Sequence, residues 1–371
     1  MKPGLAAAAV LTLACGGSAG GPAVAPVSPA RGAVTAIGSM SVARAVHTST
    51  LLRDGRVLIT GGFDDAGSNH ATAELFDPVT DRFLPAARMQ SARVDHTATL
   101  LADGRVLIAG GLSGEALSSA ELYDPAADRF EPTGRLGTAR NGHKAVRLAD
   151  GRVLIVGGDV AGAAFLASAE VYDPRTGTFT PTGSMAIARS SHTATLLPDG
   201  QVLVTGGHQG RQSAIQIHAT AELYDPVAGS FRPTGAMTRV RHKHDAAPLG
   251  GGGVLIVGGT DARDDVGAYD SVERYDPAAG RFSAAGQMGS PRYKIQDTTI
   301  SLPNDQVLVA GGAAQAELYD PANGLFARIS GEFGDSPLFA TATLLLDGRV
   351  LITGGYGLHS RARANAWIYA P

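Results

Sequence analysis

A Gly-Gly pair follows an apolar run seven times along the chain, with the second glycine at Gly62, Gly111, Gly158, Gly207, Gly259, Gly312 and Gly355. The intervals are 49, 47, 49, 52, 53 and 43 residues. A period of this length means that one supersecondary unit is copied. The 371 residues therefore form one array, where length alone would suggest two or three domains. Each copy reads roughly M-x-x-A-R-x-x-H-T-A-T-L-L-x-D-G-R-V-L-I-x-G-G, then a variable loop, then A-E-L-Y-D-P-x-x-G-x-F-x-P-T-G.

One unit contains four short strands. The first is H-T-A-T-L-L (His192 to Leu197) and the second V-L-I-x-G-G (Val106 to Gly111). Asp-Gly between them, as at Asp54-Gly55 and Asp199-Gly200, supplies the positive φ of a two-residue hairpin. The third strand, Ala120 to Tyr123, closes into an Asp-Pro turn at Asp124-Pro125. The fourth carries a lone aromatic at Phe83, Phe130, Phe179, Phe231, Phe282 and Phe326. Four-stranded antiparallel units at this period stack radially, so the expected fold is all-β, a seven-bladed propeller. The 49 glycines, about twice the usual ~7% share, are mostly the punctuation of these turns.

These repeats resemble the kelch family, whose units are about fifty residues long with Gly-Gly after the second strand. The resemblance covers nearly all of residues 33–371, with Phe where many kelch repeats have Trp. The seventh unit stops at Trp367 to Pro371, after its third strand, while Ala33 to Met40 matches Thr178 to Met185. The N-terminal strand is therefore expected to complete the last blade, leaving no open edge.

The residues before the array read differently. Lys2 is a minimal positive flank, and Leu5 to Ala14 is apolar but too short to span a bilayer. The run ends T-L-A-C, which resembles a bacterial lipoprotein signal with Cys15 as the lipidated residue, although Thr12 stands where Leu is usual. Residues 16–32, rich in Gly, Pro, Ala and Ser, read as a flexible tether. The expected organisation is a leader (1–15), a tether (16–32) and a propeller (33–371). The expected location is the outer membrane or cell surface through a lipid on Cys15, otherwise the periplasm or medium. A single cysteine excludes an intramolecular disulfide and a Cys-rich zinc site. Net charge −3 argues against nucleic acid as a partner. A closed ring is expected to be a monomer.

Alternation of hairpins places the Asp-Gly and Asp-Pro turns on one face of the disc. The loops after Gly-Gly and the fourth-to-first segments share the other, where their variability points to function. Those segments carry Arg44, Arg93, Arg140, Arg189, Arg241 and Arg292, with His47, His96, His143, His192 and His244 three residues later. Third strands carry Glu74, Glu121, Glu170, Glu222, Glu273 and Glu317. In the seventh unit Pro337 replaces the arginine and Trp367 the glutamate, so both charges vanish together. Arginine and glutamate are thus expected to pair structurally, with Arg44, Arg93, Arg140 and Arg189 opposite Glu74, Glu121, Glu170 and Glu222. A histidine repeated around an open ring cannot converge on one tetrahedral metal, so no metal is expected there. The loop acids Asp64, Asp65, Asp159, Asp261, Asp264 and Asp265 lack calcium-loop spacing and read as solvated.

Apart from Lys2, the only lysines are Lys144, Lys243 and Lys294, all in fourth-to-first segments. Units five and six depart from the pattern there, and unit six has the shortest loop after Gly-Gly. Arg239, Arg241, Lys243, His244, Arg292 and Lys294 are the candidate ligand-binding set, a positive notch suited to an anionic sugar, a phosphate-bearing ligand or an acidic peptide.

Two enzyme classes with similar propellers bear on activity. Copper radical oxidases of the galactose-oxidase type need a tyrosine cross-linked to cysteine, and the sole cysteine is Cys15. Periplasmic sialic-acid mutarotases use a compact charged pocket, which the notch makes conceivable. No Ser-His-Asp arrangement, phosphate loop or dinucleotide fingerprint is present. The leading expectation is a cofactor-free, surface-tethered module that binds a protein or anionic polysaccharide. The alternatives are an isomerase or mutarotase on an anionic sugar, and an envelope structural protein. A deep loop-face pocket with an unpaired acid and a poised base would favour the enzyme; a shallow rim would favour the binder.

Overall fold

The computed structural model describes residues 32–357 and 361–371. The leader, Cys15 and nearly all of the tether lie outside the described residues.

Seven four-stranded antiparallel sheets form the blades of a propeller, and two-stranded ribbons decorate the loops of the second and fourth. Blade 3 is representative: Lys144–Arg147 innermost, then Val153–Val156, Ala169–Asp173 and Thr178–Thr182 outermost. In the seventh blade the fourth strand is Ala33–Ala36, paired with the C-terminal strand so that Ala33 faces Ala370 and Ala36 faces Trp367. The ring is therefore closed by pairing the first described strand with the last.

Second strands such as Val153–Val156 are buried at every residue because each blade is sandwiched between two neighbours. This explains why they read as unbroken apolar runs instead of alternating. Seven separate apolar clusters fill the seven inter-blade spaces. A third-strand tyrosine packs on the fourth-strand phenylalanine, as in Tyr172–Phe179 with centroids 4.7 Å apart. Such tilted ring pairs add to simple area burial.

In six of the seven Gly-Gly pairs both residues take positive φ, as in Gly206 (+61°) and Gly207 (+84°), so the pair lies just outside its strand; in the blade 6 pair only Gly312 does. A Cβ on Gly206 would come within 2.5 Å of the Arg241 carbonyl oxygen, so space and conformation both require glycine.

Candidate functional site: the channel mouth on the loop face

Each of the six arginines lies within hydrogen-bond reach of the glutamate in its own repeat. The Nη2–Oε1 distances are 3.0 Å for Arg44–Glu74, 2.7 Å for Arg93–Glu121, 2.9 Å for Arg140–Glu170 and 2.9 Å for Arg189–Glu222. Arg241–Glu273 follows at 2.7 Å and Arg292–Glu317 at 2.6 Å. Nη1 of each arginine also donates to the first carbonyl of the Gly-Gly pair, as Arg189 does to Gly206 at 2.6 Å. The second glutamate oxygen accepts a backbone N–H from the preceding segment, as Glu222 does from Ala186 at 2.8 Å. One ion pair thus ties three pieces of chain together in every charged blade. In the seventh blade Trp367 packs edge-on against Phe333 at 5.2 Å instead.

This geometry corrects half of the candidate ligand set. Arg241 and Arg292 are at most 1% exposed and bound to their glutamates, so neither offers a donor to a ligand. His244 is fully buried, its Nε2 lying 3.0 Å from Thr205 Oγ1, and burial holds its pKa well below the usual histidine value. It is a neutral packing residue. The other three members remain on the rim, but already partnered. Lys243 Nζ donates to Asp264 Oδ1 at 2.7 Å, and Lys294 Nζ lies 3.6 Å from Asp264 Oδ2. Arg239 sits over the Tyr269 ring at 5.3 Å. Asp264, one of the loop acids, therefore ties down both lysines and offsets part of the positive charge of the notch expected to attract anions.

The fourth-to-first segments meet around the channel in a ring of backbone hydrogen bonds. Val46, Asp95, Gly142, Ser191, Lys243, Lys294 and Phe339 all have φ between 50° and 61°. Six of the seven donate their N–H to the carbonyl of their counterpart in the preceding blade: Val46 to Phe339 (3.1 Å), Asp95 to Val46 (3.3 Å), Gly142 to Asp95 (3.2 Å). Lys243 to Ser191 (3.1 Å), Lys294 to Lys243 (2.9 Å) and Phe339 to Lys294 (2.7 Å) continue the series. The left-handed backbone costs a non-glycine residue about 1–2 kcal/mol. Here it lets each segment satisfy polar groups that a channel wall would leave bare.

Below this ring, a cavity of about 740 Å³ opens on the loop face. Most of its wall repeats: in four blades the histidine Nε2 lies near a threonine hydroxyl of the preceding blade, as His96 does to Thr60 at 3.0 Å and His143 to Thr97 at 3.0 Å. Two first strands break the series, with Lys144 and Asp245 where Thr48, Thr97, Thr193 and Thr341 stand elsewhere. His192, facing blade 3, accordingly has no partner for either ring nitrogen. In blade 6, Ile295 fills the histidine position and two extra residues, Gln296 and Asp297, precede the strand.

These departures converge. Lys144 Nζ reaches across the channel from blade 3 to Asp297 Oδ1 of blade 6 at 3.5 Å. Burial works against the Lys144 charge, but Asp297, Asp245 and Asp95 together outweigh it and raise its pKa. Asp245 accepts backbone N–H groups from Thr298 (3.0 Å), Thr299 (2.8 Å) and Ala246 (2.9 Å). Burial, reinforced by Asp297 and opposed by Lys144, pushes its carboxyl up to about 6. Burial also raises Asp95, whose Oδ2 has Asn141 Nδ2 at 3.4 Å. Among the described residues no group of three or more His, Cys, Asp or Glu side chains is placed to hold a metal ion.

Asp95, Asp245 and Asp297 were not singled out by sequence, and Lys144 only as one of three lysines. The signal was present as a departure from the repeat: a charge where other blades have threonine, and a two-residue insertion.

Comparison with known proteins agrees with this architecture. Residues 44–90 and 140–186, which are blades 1 and 3, match the Kelch motif. No curated protein matches the sequence. Among solved structures, a fungal alcohol oxidase of the AA5 family, determined in complex with copper, superposes with a TM-score of 0.71 at 18% identity. The alignment covers 92% of this chain and 76% of that one; at such identity it speaks for the fold alone. The chain is a kelch-repeat β-propeller, a scaffold suited to binding and interaction.

Proposed function

We propose that the protein is an exported recognition module, tethered through Cys15, which holds a protein or carbohydrate partner at the channel mouth of its loop face. The observation that supports this is the convergence of Asp95, Lys144, Asp245 and Asp297, drawn from four blades, on one cavity. In a ring whose other wall positions repeat, packing alone does not call for charges there. Both lysines of the basic rim that suggested an anionic sugar are held by Asp264, so partner selection is assigned to the channel mouth. A glycan array and a pull-down from envelope extracts, run with the wild type and with Asp297→Asn, test the reading. A partner retained equally by both proteins would move the site elsewhere. Metabolic palmitate labelling that persists in Cys15→Ala would remove the lipid tether.

A second reading, an isomerase or mutarotase on a sugar, is favoured by one observation: the Asp245 carboxyl near 6 beside a protonated lysine suits acid–base work. Against it, both Asp245 oxygens are already engaged by backbone donors. Anomer exchange of N-acetylneuraminate, followed by NMR, that accelerates with added protein and slows in Asp245→Asn would favour this reading.

A further inference from the structure

We infer that the channel-mouth cavity takes a small organic cation, its ammonium held by Asp95 and Asp297 and its apolar body laid against Phe63 and Phe339. This rests on the recognition reading above and names its ligand chemistry. All four residues line the cavity.

Charge is the first argument. Three carboxylates (Asp95, Asp245 and Asp297) face a single ammonium, that of Lys144. Asp245 is buried, Asp95 half-buried and Asp297 largely exposed; carboxyl groups withdrawn from water are stabilised by compensating cations, and here one ammonium is shared among the three. Burial raises both Asp95 and Asp245, and the neighbouring Asp297 carboxylate adds to the rise while Lys144 opposes it. An added ammonium would oppose it as well, whereas an added anion would add to it.

The aromatic wall is the second, independent argument. Phe63 and Phe339 flank Tyr356, with ring centroids 6.2 and 5.9 Å from it. Ring faces attract cations. The protein's own ammonium groups already occupy both kinds of surface: Lys144 lies among the acids, and Lys294 Nζ lies 5.9 Å from the Phe339 centroid and 5.4 Å from that of Tyr356. A third sign is Thr299, which lines the same cavity, is 7% exposed, and leaves its hydroxyl without a hydrogen-bond partner. About 740 Å³ is ample for a one-ring amine.

The test is calorimetric titration of the full chain with three probes of one shape: benzylammonium, benzyl alcohol and benzoate. Benzylammonium should bind saturably, benzyl alcohol at least about tenfold more weakly, and benzoate not at all. Asp297→Asn should weaken benzylammonium binding about tenfold. Lys144→Thr supplies the residue of the other blades, so it removes the internal competitor and offers His192 a hydroxyl. It should tighten benzylammonium binding about tenfold, a gain that misfolding cannot mimic. Equal affinity for the alcohol, tighter binding of benzoate, or weaker binding in Lys144→Thr would overturn the inference. If only benzoate or a sugar binds, and Asp297→Asn alters that binding, the cation inference fails while the recognition reading stands. If no probe binds, and neither the glycan array nor the pull-down returns a partner, both fail.

Discussion

Glu222→Gln removes one charge from a pair with almost no access to water, and so asks whether the repeated arginines are held by charge or by shape. Arg189 is 0% exposed and Glu222 3%. Glutamine preserves the volume, but it leaves the guanidinium uncompensated and can present an amide N–H₂ to the Ala186 N–H that Oε2 now accepts. Removing one partner of a buried pair costs about 3–5 kcal/mol. Arg189 would keep its bonds to the Gly206 carbonyl at 2.6 Å and to the Thr220 carbonyl and hydroxyl, both at 3.1 Å, which places the expected loss near the lower end, about 3 kcal/mol. Arg189→Met orphans those acceptors as well, at about 1–3 kcal/mol for each one left unsatisfied, and should cost more than Glu222→Gln. In Arg189→Met/Glu222→Leu both charges go, as they do in the seventh blade, and the loss should fall at least about 2 kcal/mol short of the summed single losses of Arg189→Met and Glu222→Leu. Denaturant unfolding can be followed by far-UV circular dichroism and by the emission of Trp367, the only tryptophan, 3% exposed in the closing blade. A loss below about 1 kcal/mol for Glu222→Gln, or strict additivity in the cycle, would refute the argument.

Other perturbations probe different levels of the structure. Gly206→Ala should destabilise by more than about 2 kcal/mol in the same unfolding assay, because positive φ and the Arg241 carbonyl both oppose a Cβ. Val46→Gly should stabilise by about 1 kcal/mol, since a β-branched residue there holds a left-handed backbone; no gain would mean that the ring imposes little strain. Carboxyl carbon NMR should show Asp245 titrating near 6. That midpoint should move up in Lys144→Thr, which loses a cation, and down in Asp297→Asn, which loses a neighbouring anion. The linkage has a definite sign. Because the folded pKa of Asp245 lies above the unfolded value of about 3.9, its contribution to stability is complete below pH ~4 and is lost as pH rises through about 6. Stability that rose with Asp245 ionisation would contradict the assigned burial.

The repeat made the fold legible because its determinants are local. Asp-Gly, Asp-Pro and Gly-Gly state where each strand ends, and the apolar run between them states which strand is sandwiched. Even the ring closure was readable, since Ala33 to Met40 carries a fourth-strand pattern that the last unit lacks. The joint loss of arginine and glutamate in the seventh unit suggested pairing before any distance was available. What sequence did not carry was which charges remain free. Arg241, Lys243, His244, Arg292 and Lys294 look alike as a basic cluster along the chain. In three dimensions one layer turns inward to glutamates and threonines, and the next meets Asp264.

The blades, their number and their edges were therefore determined by the sequence alone, through turn chemistry and strand burial repeated seven times. The channel mouth was decided only by tertiary structure. Asp95, Lys144, Asp245 and Asp297 lie about fifty or more residues apart, and a ring alone brings them to one wall. Their charge balance depends on that distance and on the burial of Asp95 and Asp245, and neither quantity has a local signature.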